Sequence, residues 1–372
     1  MRKLIKLIFI CLNIIVACGL ICSAFSSLLN PASFPRLVIA SMSLPVWVFA
    51  ALCLVLLDFF VLRKWCIVMA VNVGITLPAC FTVLPLNIPR FTAPPCEDGL
   101  SWSLLSYNIS NFIDLTEKYD GDVNPGISYI LSTNADVVVI PEGNMLNFSP
   151  YLHIGQSQLD SLSNLYPYII RGNDLLLLSK FPATPIHLDN FPHHYLFGNG
   201  KRSRVAAYLL NINGVETALF GCHLQSLGLT QDDKNLYEEF TRGEGFTSKE
   251  ELRTAKNDII AKIGEANVER AIAVDALISS IDSVGISNAV VCGDFNDTPC
   301  CYALRRLQNI GFHEVYPLVG NGYMFTYNSD RLLFQIDHVL FRGEFFPWTM
   351  RRGSQRNSDH YPLLTTFILE ED

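Results

Sequence analysis

The pattern of hydrophobic and polar positions divides the chain into two parts near Arg90. Before that point no charged residue lies between Lys6 and Arg36 or between Lys64 and Arg90, and the stretch between Arg36 and Arg63 contains a single acid. Each of these stretches exceeds the ~20 apolar residues that a membrane-spanning helix requires. We therefore predict three transmembrane helices, near residues 5–28, 38–62 and 66–87.

Basic residues are unevenly distributed around these spans. One side of the membrane would hold five of them, namely Arg2, Lys3, Lys6, Arg63 and Lys64. The other side would hold two, Arg36 and Arg90. Because basic residues favour the cytoplasmic side, we expect a multi-pass protein of the inner membrane whose remaining chain is extracytoplasmic. A cleaved signal peptide is the alternative for the first span.

Beyond the spans, short strand-like runs recur with few helices between them. The predicted strands are Trp102–Ile109, Asp136–Ile140, Leu175–Leu178, Val205–Ile212, Glu216–Cys222, Asn288–Cys292, Phe334–Phe341 and Leu363–Leu369. The clearest helix runs from about Ser248 to Ile281, with a break expected near Gly264. This pattern favours two packed sheets flanked by helices. The predicted organisation is a membrane anchor over 1–90, a proline-containing linker over 91–99 and a catalytic domain over 100–372.

Charge is also divided between the two parts. Residues 1–95 contain seven basic residues and one acid, whereas residues 96–372 contain 20 basic and 34 acidic residues and have a net charge of −14. Binding to nucleic acid relies on Lys and Arg that neutralise phosphates, so this charge disfavours it.

The polar segment from Gly228 to Glu250 is interpreted as a solvated insertion, with a substrate-facing lid as the alternative.

Polar residues stand at the ends of six strand-like runs. In chain order they belong to Ser106-Tyr-Asn108, Pro141-Glu142-Gly143, Cys222-His223-Leu, Gly293-Asp294-Phe-Asn296, Ile336-Asp337-His338 and Ser358-Asp359-His360. A single Glu or His of this kind is more often a surface residue or a hydrogen-bonded core residue. Six such motifs in this order indicate a shared site.

This order resembles that of the endonuclease/exonuclease/phosphatase superfamily, which includes deoxyribonuclease I, exonuclease III and bacterial sphingomyelinases. The resemblance covers about residues 100–372 and suggests a bacterial, membrane-anchored member. It implies an α/β fold, a four-layer α/β/β/α sandwich whose site lies at one edge of the paired sheets. It also implies a hydrolase acting on phosphoester bonds with Mg²⁺, or Mn²⁺ as the alternative.

The resemblance further implies a metal site. Glu142 resembles the main Mg²⁺ ligand of the family, Asn108 stands beside it as a ligand or phosphate contact, and Asp359 resembles a further ligand or a partner of a histidine. Carboxylate and amide oxygens are the ligands that a hard divalent cation prefers. Asn108, Glu142 and Asp359 are therefore our predicted metal ligands.

Five other residues carry the family's catalytic roles by the same resemblance. Asp294 and Asn296 would orient the attacking water and bind the phosphate or a metal ion. His360, with Asp337 as its orienting carboxylate, would act as a general base or bind the phosphate. His223 would contact the phosphate or assist the leaving group.

Some positions match the family pattern only in part. The acidic partner that some nucleases provide for the central histidine matches loosely to Asn173 or Asp174. Arg204 could bind a phosphate or form a structural ion pair, and the residues do not decide between these roles. Asp297 is expected to cap a helix that starts near Pro299.

The leading hypothesis is a membrane-anchored, Mg²⁺-dependent phosphoesterase that hydrolyses a phosphodiester or phosphomonoester by in-line attack of water. A lipid headgroup or small phosphoester is favoured over nucleic acid as the substrate, and the lipid bilayer is the expected partner. The alternatives are an extracytoplasmic nuclease and, in a different class, a catalytically silent scaffold or receptor with this fold.

Overall fold

The computed structural model describes residues 2–88, 101–116, 123–188, 191, 203–228, 249–329 and 332–369. The predicted linker over 91–99 lies outside these ranges, as does most of the polar segment between Gly228 and Glu250. The other predicted elements lie wholly or largely within them.

The amino-terminal part contains two helices that are long and apolar enough to cross a membrane. They are α1 (Arg2–Phe25) and α2 (Leu44–Val61), and short 3-10 turns extend the apolar segments to Lys3–Leu28 and Val38–Val61. The prediction of a single third helix over 66–87 is wrong. That region forms α3 (Arg63–Ile75) and α4 (Leu77–Val83), which are bent by 75° and together amount to a broken span or a re-entrant loop.

Proline explains the bend between α3 and α4. Pro78 occupies the first turn of α4. Its ring would collide with the carbonyl of Gly74 in a continuous helix, and it has no N–H to donate there. Because Pro is tolerated in a first turn, a new helix starts at this point instead.

Two six-stranded sheets form the centre of the remaining chain. The first, in the order β13-β14-β1-β2-β4-β3, contains β1 (Ser101–Ser106), β2 (Val137–Pro141), β3 (Tyr168–Gly172), β4 (Leu175–Ser179), β13 (Phe345–Arg352) and β14 (Leu363–Leu369). The second, in the order β5-β6-β7-β8-β12-β9, contains β5 (Ala183–Ile186), β6 (Arg204–Ile212), β7 (Val215–His223), β8 (Ala289–Asp294), β9 (His313–Glu314) and β12 (Asp337–Arg342). A separate hairpin joins β10 (Tyr327–Ser329) to β11 (Leu332–Phe334).

Helices cover the outer faces of the sheets. They are α5 (Pro125–Thr133), α6 (Gln156–Leu165), α7 (Lys249–Val284) and α8 (Tyr302–Gln308), whereas α9 (Val315–Val319) contributes Val315 and Tyr316 to the core between the sheets. One apolar core fills the space between the sheets, a second lies between the second sheet and α7 and α8, and a third lies beneath α5 and α6. The predicted four-layer α/β/β/α fold is therefore confirmed. The break expected at Gly264 is wrong, because α7 is continuous.

Strand register brings four polar residues into one row across the second sheet. His223 at the end of β7 is paired with Arg204 of β6 on one side and with Asp294 of β8 on the other. Asp294 is in turn paired with Asp337 of β12. In the first sheet the neighbouring parallel strands β1 and β2 end just before Asn108 and Glu142. The polar ends of both sheets therefore meet at one edge of the sandwich.

Candidate active site

The strand ends of the two sheets open into a pocket of about 450 Å³. Of the eight predicted site residues, six line this pocket: Glu142, His223, Asp294, Asn296, Asp359 and His360. The other two, Asn108 and Asp337, are buried directly behind it and contact Asp294 and His360. The structure therefore brings the whole predicted set together.

Asp294 is the centre of this set. Its side chain is only 2% exposed, and its Oδ2 accepts a hydrogen bond of 3.0 Å from the amide of Asn108. The same oxygen lies 3.6 Å from Nε2 of His360 and 3.9 Å from Nε2 of His223. Its other oxygen accepts the backbone N–H of Asn296 at 2.8 Å. Burial raises the pKa of the Asp294 carboxyl, and the two imidazoles offset part of that increase.

Gly293 allows Asp294 to reach this position. Its φ is 131°, and a Cβ at this residue would overlap the carbonyl oxygen of Cys222 on the neighbouring strand. Only glycine adopts such a backbone conformation without strain. The first residue of the Gly-Asp-Phe-Asn motif therefore has a backbone role, and the next three residues carry the polar groups or pack beneath them.

His360 and Asp337, which were predicted to pair, form a buried hydrogen bond of 2.8 Å between Nδ1 and Oδ2. Burial alone would lower the pKa of His360, but the carboxylates of Asp337 and Asp294 outweigh it and raise the pKa to about 10. The ring is therefore an imidazolium at neutral pH. Such a charged ring is suited to hold a phosphate.

Asp174 is the acidic partner of the central histidine. Nδ1 of His223 lies 3.2 Å from Oδ2 of Asp174, and the guanidinium of Arg204 lies 2.6 Å from the same oxygen. Burial lowers the pKa of His223, but the hydrogen bond to Asp174 and the charges of Asp294 and Glu142 outweigh it and leave the pKa raised. Arg204 thus forms the ion pair that was one of its two predicted roles, and it also lines the pocket.

Asparagine amides hold the glutamate of the site. Oε1 of Glu142 lies 3.3 Å from the amide nitrogen of Asn108, and Oε2 accepts a hydrogen bond of 3.0 Å from Asn111. The oxygen of Asn108 accepts the backbone N–H of Ser110, so its amide nitrogen faces both Glu142 and Asp294. Sequence reasoning missed Asn111, although its position just after the Asn108 motif was an available signal.

Several pocket residues have a left-handed backbone. Positive φ angles occur at Asn111 (56°), Glu142 (54°), Asp174 (73°) and Asn296 (51°). Asn and Asp adopt this conformation more readily than other residues, so Glu142 is the unusual member. Such conformations cost about 1–3 kcal/mol each and cluster where function requires a fixed geometry.

The donor set fits a divalent cation. Glu142, Asp294 and Asp359 present carboxylates to one pocket, and the carboxylates of Asp294 and Asp337 lie within 4.8 Å of each other beside the His360 ring. A cation bound there would offset the repulsion between these carboxylates. Because the Asn108 oxygen accepts from Ser110, Asn108 positions Glu142 in this arrangement through its amide nitrogen.

Two residues close to the motifs have structural contacts. The His338 ring is fully buried between the Glu314 carboxylate, at 2.7 Å, and the backbone carbonyl of Asp297, at 2.9 Å. The Asp297 carboxylate pairs with the buried Arg270 at 3.2 Å. The prediction that Asp297 caps a helix is wrong, because α8 begins at Tyr302 and has Cys301 at its N-cap.

The model of the endonuclease/exonuclease/phosphatase family matches residues 105–360. Similar solved structures include a humanized TDP2 of D. rerio, with 15% identity, a TM-score of 0.45, and coverage of 72% of this chain and 98% of that one. An endonuclease/exonuclease/phosphatase from Beutenbergia cavernae has 14% identity, a TM-score of 0.45, and coverage of 73% and 72%. The human Nocturnin catalytic domain has 13% identity, a TM-score of 0.45, and coverage of 73% and 94%.

A search of curated proteins by sequence finds no match. The family match nevertheless spans most of the chain and contains every motif from Asn108 to His360. The chain therefore belongs to the endonuclease/exonuclease/phosphatase family.

Proposed function

We propose that this chain is a membrane-anchored, metal-dependent phosphoesterase that hydrolyses a phosphodiester or phosphomonoester by in-line attack of water. Members of the family are hydrolases that act on phosphoester bonds, and this supports the reaction class. The observation that carries the proposal is the position of Asp294. One of its oxygens lies within 3.9 Å of Nε2 of both His223 and His360.

Asp294 is the group suited to accept a proton from the attacking water. Burial raises the pKa of its carboxyl, and a proton acceptor is most effective when its pKa approaches the working pH. The water oxygen forms a new bond to phosphorus while its proton passes to the carboxylate. The hydrogen bonds from Asn108 and the backbone of Asn296 keep that carboxylate fixed during the transfer.

The two histidines are suited to the other charges of the reaction. His360, as an imidazolium held by Asp337, can bind a phosphoryl oxygen and stabilise the charge that develops on it. Nε2 of His223 faces the pocket and can give its proton to the leaving oxygen as the bond from phosphorus to that oxygen breaks. Asp174 holds the opposite nitrogen of this ring, and this hydrogen bond favours the protonated form of His223.

We assign the metal to Glu142 and Asp359, with Asn108 beside them, and propose Mg²⁺ with Mn²⁺ as the alternative. When bound, the cation supplies positive charge against the phosphoryl oxygens. The side chain of Glu142 is 27% exposed and faces the pocket, so it can reach a ligand without rearrangement of the fold. Asn111 and Asn108 hold its two oxygens in place.

The proposed substrate is a lipid headgroup or a small phosphoester, in preference to nucleic acid. The net charge of −14 on residues 96–372 opposes the approach of a polyanion. Two amino-terminal helices that can cross a membrane keep the domain near a bilayer, which raises the effective concentration of membrane-borne phosphoesters. We further propose a multi-pass location in the inner membrane with the catalytic domain outside the cytoplasm.

The proposal is tested with the full chain in detergent, assayed against duplex DNA, RNA, phospholipids and small phosphoesters with Mg²⁺ and with EDTA. We expect kcat to fall by at least ~10²-fold in each of Glu142→Gln, Asp294→Asn and His360→Gln. Because the three residues act on one phosphate, the losses of activation free energy in a double variant should not be the sum of those in the single variants. Glu216→Gln, on an exposed strand position, is the matched control. Activity within a few-fold of wild type in all three variants would overturn the proposed site.

Two other outcomes select the alternatives. If duplex DNA is cleaved with a higher kcat/KM than every lipid or small phosphoester, the protein is a nuclease. If no phosphoester is hydrolysed with any divalent cation, the fold serves as a scaffold or receptor.

A further inference from the structure

The segment between α1 and α2 reaches the active site. Met42, in the 3-10 turn Val38–Ser43 directly before α2, lines the same pocket as His223 and Asp294. A residue of the membrane anchor is thus part of the wall that surrounds the reacting groups.

The loop that follows Asp294 contacts the end of α1. Cys300 lies in this loop, and its Sγ is 3.4 Å from the carbonyl oxygen of Ala24 and 3.8 Å from Oγ of Ser27. The long helix α7 approaches the same segment. A Cβ at Gly264 would lie 3.2 Å from the carbonyl oxygen of Pro35, closer than ordinary contact, so glycine permits this approach.

The β10–β11 hairpin is also connected to the anchor, through Tyr323. The Tyr323 ring lies edge-on to Phe49 of α2 with 6.2 Å between centroids, and its hydroxyl donates to the carbonyl of Leu333 at 2.6 Å. Leu333 belongs to the β10–β11 hairpin, in which Tyr327 and Phe334 line the pocket. The anchor therefore contacts both the loop after Asp294 and the segment that leads to this hairpin.

All these contacts come from one end of the spans. Ala24 and Ser27 lie where α1 ends, whereas Met42 and Phe49 lie where α2 begins. The apolar segment Lys3–Leu28 has 26 residues. As a helix it would be about 39 Å long, enough for a hydrocarbon core of about 30 Å. If these helices cross the bilayer, the pocket opens at its surface.

The connecting segment that leads to Met42 exposes apolar side chains. Phe34 is 46% exposed and Leu37 is 57% exposed, and both precede Met42 in the same connecting segment. The floor of the pocket, by contrast, is made of carboxylates, imidazoles and the Arg204 guanidinium. A molecule that matches both surfaces has a phosphoester joined to an apolar tail.

We infer that the connecting segment of the anchor forms a substrate-binding wall, and that the substrate is a phosphoester carried by a membrane lipid. This inference rests on the proposed function and narrows it. The phosphate occupies the polar floor, while the lipid chain remains against Met42, Leu37 and Phe34. Apolar contact of this kind favours binding by ~25 cal/mol per Å² of surface removed from water. A free nucleic acid gains nothing from it.

The test compares acylated and soluble forms of the same phosphoester. Full-length protein in detergent micelles is assayed with phosphatidic acid against glycerol 3-phosphate, and with phosphatidylcholine against glycerophosphocholine. The measured quantity is the ratio of kcat/KM for the acylated form to kcat/KM for the soluble form. Met42→Gln should lower this ratio at least ~10-fold, about 1.4 kcal/mol, mainly through KM. Met42→Leu should retain it.

Two further variants complete the experiment. Leu37→Ser should lower the same ratio independently of Met42, which keeps the test decisive if Met42→Gln fails to fold. Val46→Thr changes an exposed position within α2, outside the connecting segment, and should leave the ratio unchanged. A ratio unaffected by both Met42→Gln and Leu37→Ser, or no preference for the acylated esters in wild type, overturns the inference. Hydrolysis of the soluble esters alone would leave the proposed phosphoesterase function intact.

Discussion

Arg270 connects the loops that follow His223 and Asp294, two of the proposed catalytic residues. Its side chain is 1% exposed, and it donates to the backbone carbonyl of Gln225 at 2.8 Å. Its Nε lies 3.2 Å from the carboxylate of Asp297. Gln225 follows His223 by two residues, and Asp297 follows Asp294 by three. Replacement of Arg270 by Met removes these bonds but keeps an apolar side chain of similar length.

The expected loss is large because the carboxylate that remains is buried. Asp297 is 4% exposed and would be left without its countercharge. Removal of one partner of a buried pair costs about 3–5 kcal/mol. At about 2–4 °C per kcal/mol for a domain of this size, Tm should fall by roughly 6–20 °C. Arg306 is the control, because its pair with Asp275 is exposed, with side chains 37% and 48% accessible. Arg306→Met should cost less than about 1 kcal/mol.

The assay follows thermal unfolding of the full chain in detergent by near-UV circular dichroism. Below the unfolding transition kcat should also fall in Arg270→Met, since both catalytic loops lose a common attachment. A second change, Asp297→Asn, should recover part of the lost stability because it removes the unpaired charge. If Arg270→Met lowers Tm no more than Arg306→Met, the buried pair does not hold these loops and our reasoning is wrong.

Three further predictions concern metal binding, pH and topology. Excess Mg²⁺ should raise the Tm of wild type, by the equivalent of about 2.7 kcal/mol of unfolding free energy at 100 times Kd, and should raise the Tm of Glu142→Gln much less. Equal increases in Tm would contradict the assignment of Glu142 as a metal ligand. Burial lowers the pKa of His338, but Glu314 and a backbone carbonyl outweigh it and leave the pKa raised. The ion pair between His338 and Glu314 therefore stabilises the fold fully below about pH 6.5, and this stabilisation is lost as the pH rises through the raised pKa of His338. The Tm difference between wild type and Glu314→Gln should accordingly shrink as the pH increases. A reporter active only outside the cytoplasm should be active after Glu371 and inactive after Lys64, and the reverse result would place the catalytic domain in the cytoplasm.

Local sequence determined the strands and the polar residues at their ends. Runs such as Val137–Pro141 are continuously apolar because they are buried on both faces, and the run ends where Glu142 enters the pocket. The Gly-Asp-Phe-Asn motif likewise combines a strand end, a glycine conformation and two polar groups within four residues. Such short-range patterns are visible in the sequence because backbone geometry sets them.

Tertiary structure decided which residues meet. Asp174 was one of two loose matches, and only the pairing of separate strands showed that it holds both His223 and Arg204. Likewise the sequence gives no local sign that Arg270 reaches Asp297, or that Met42, before α2, lines the pocket. These contacts join residues far apart in the chain, and they depend on how sheets and helices pack. Hydrophobic periodicity specifies which face of an element is buried, but it does not specify the partner that covers that face.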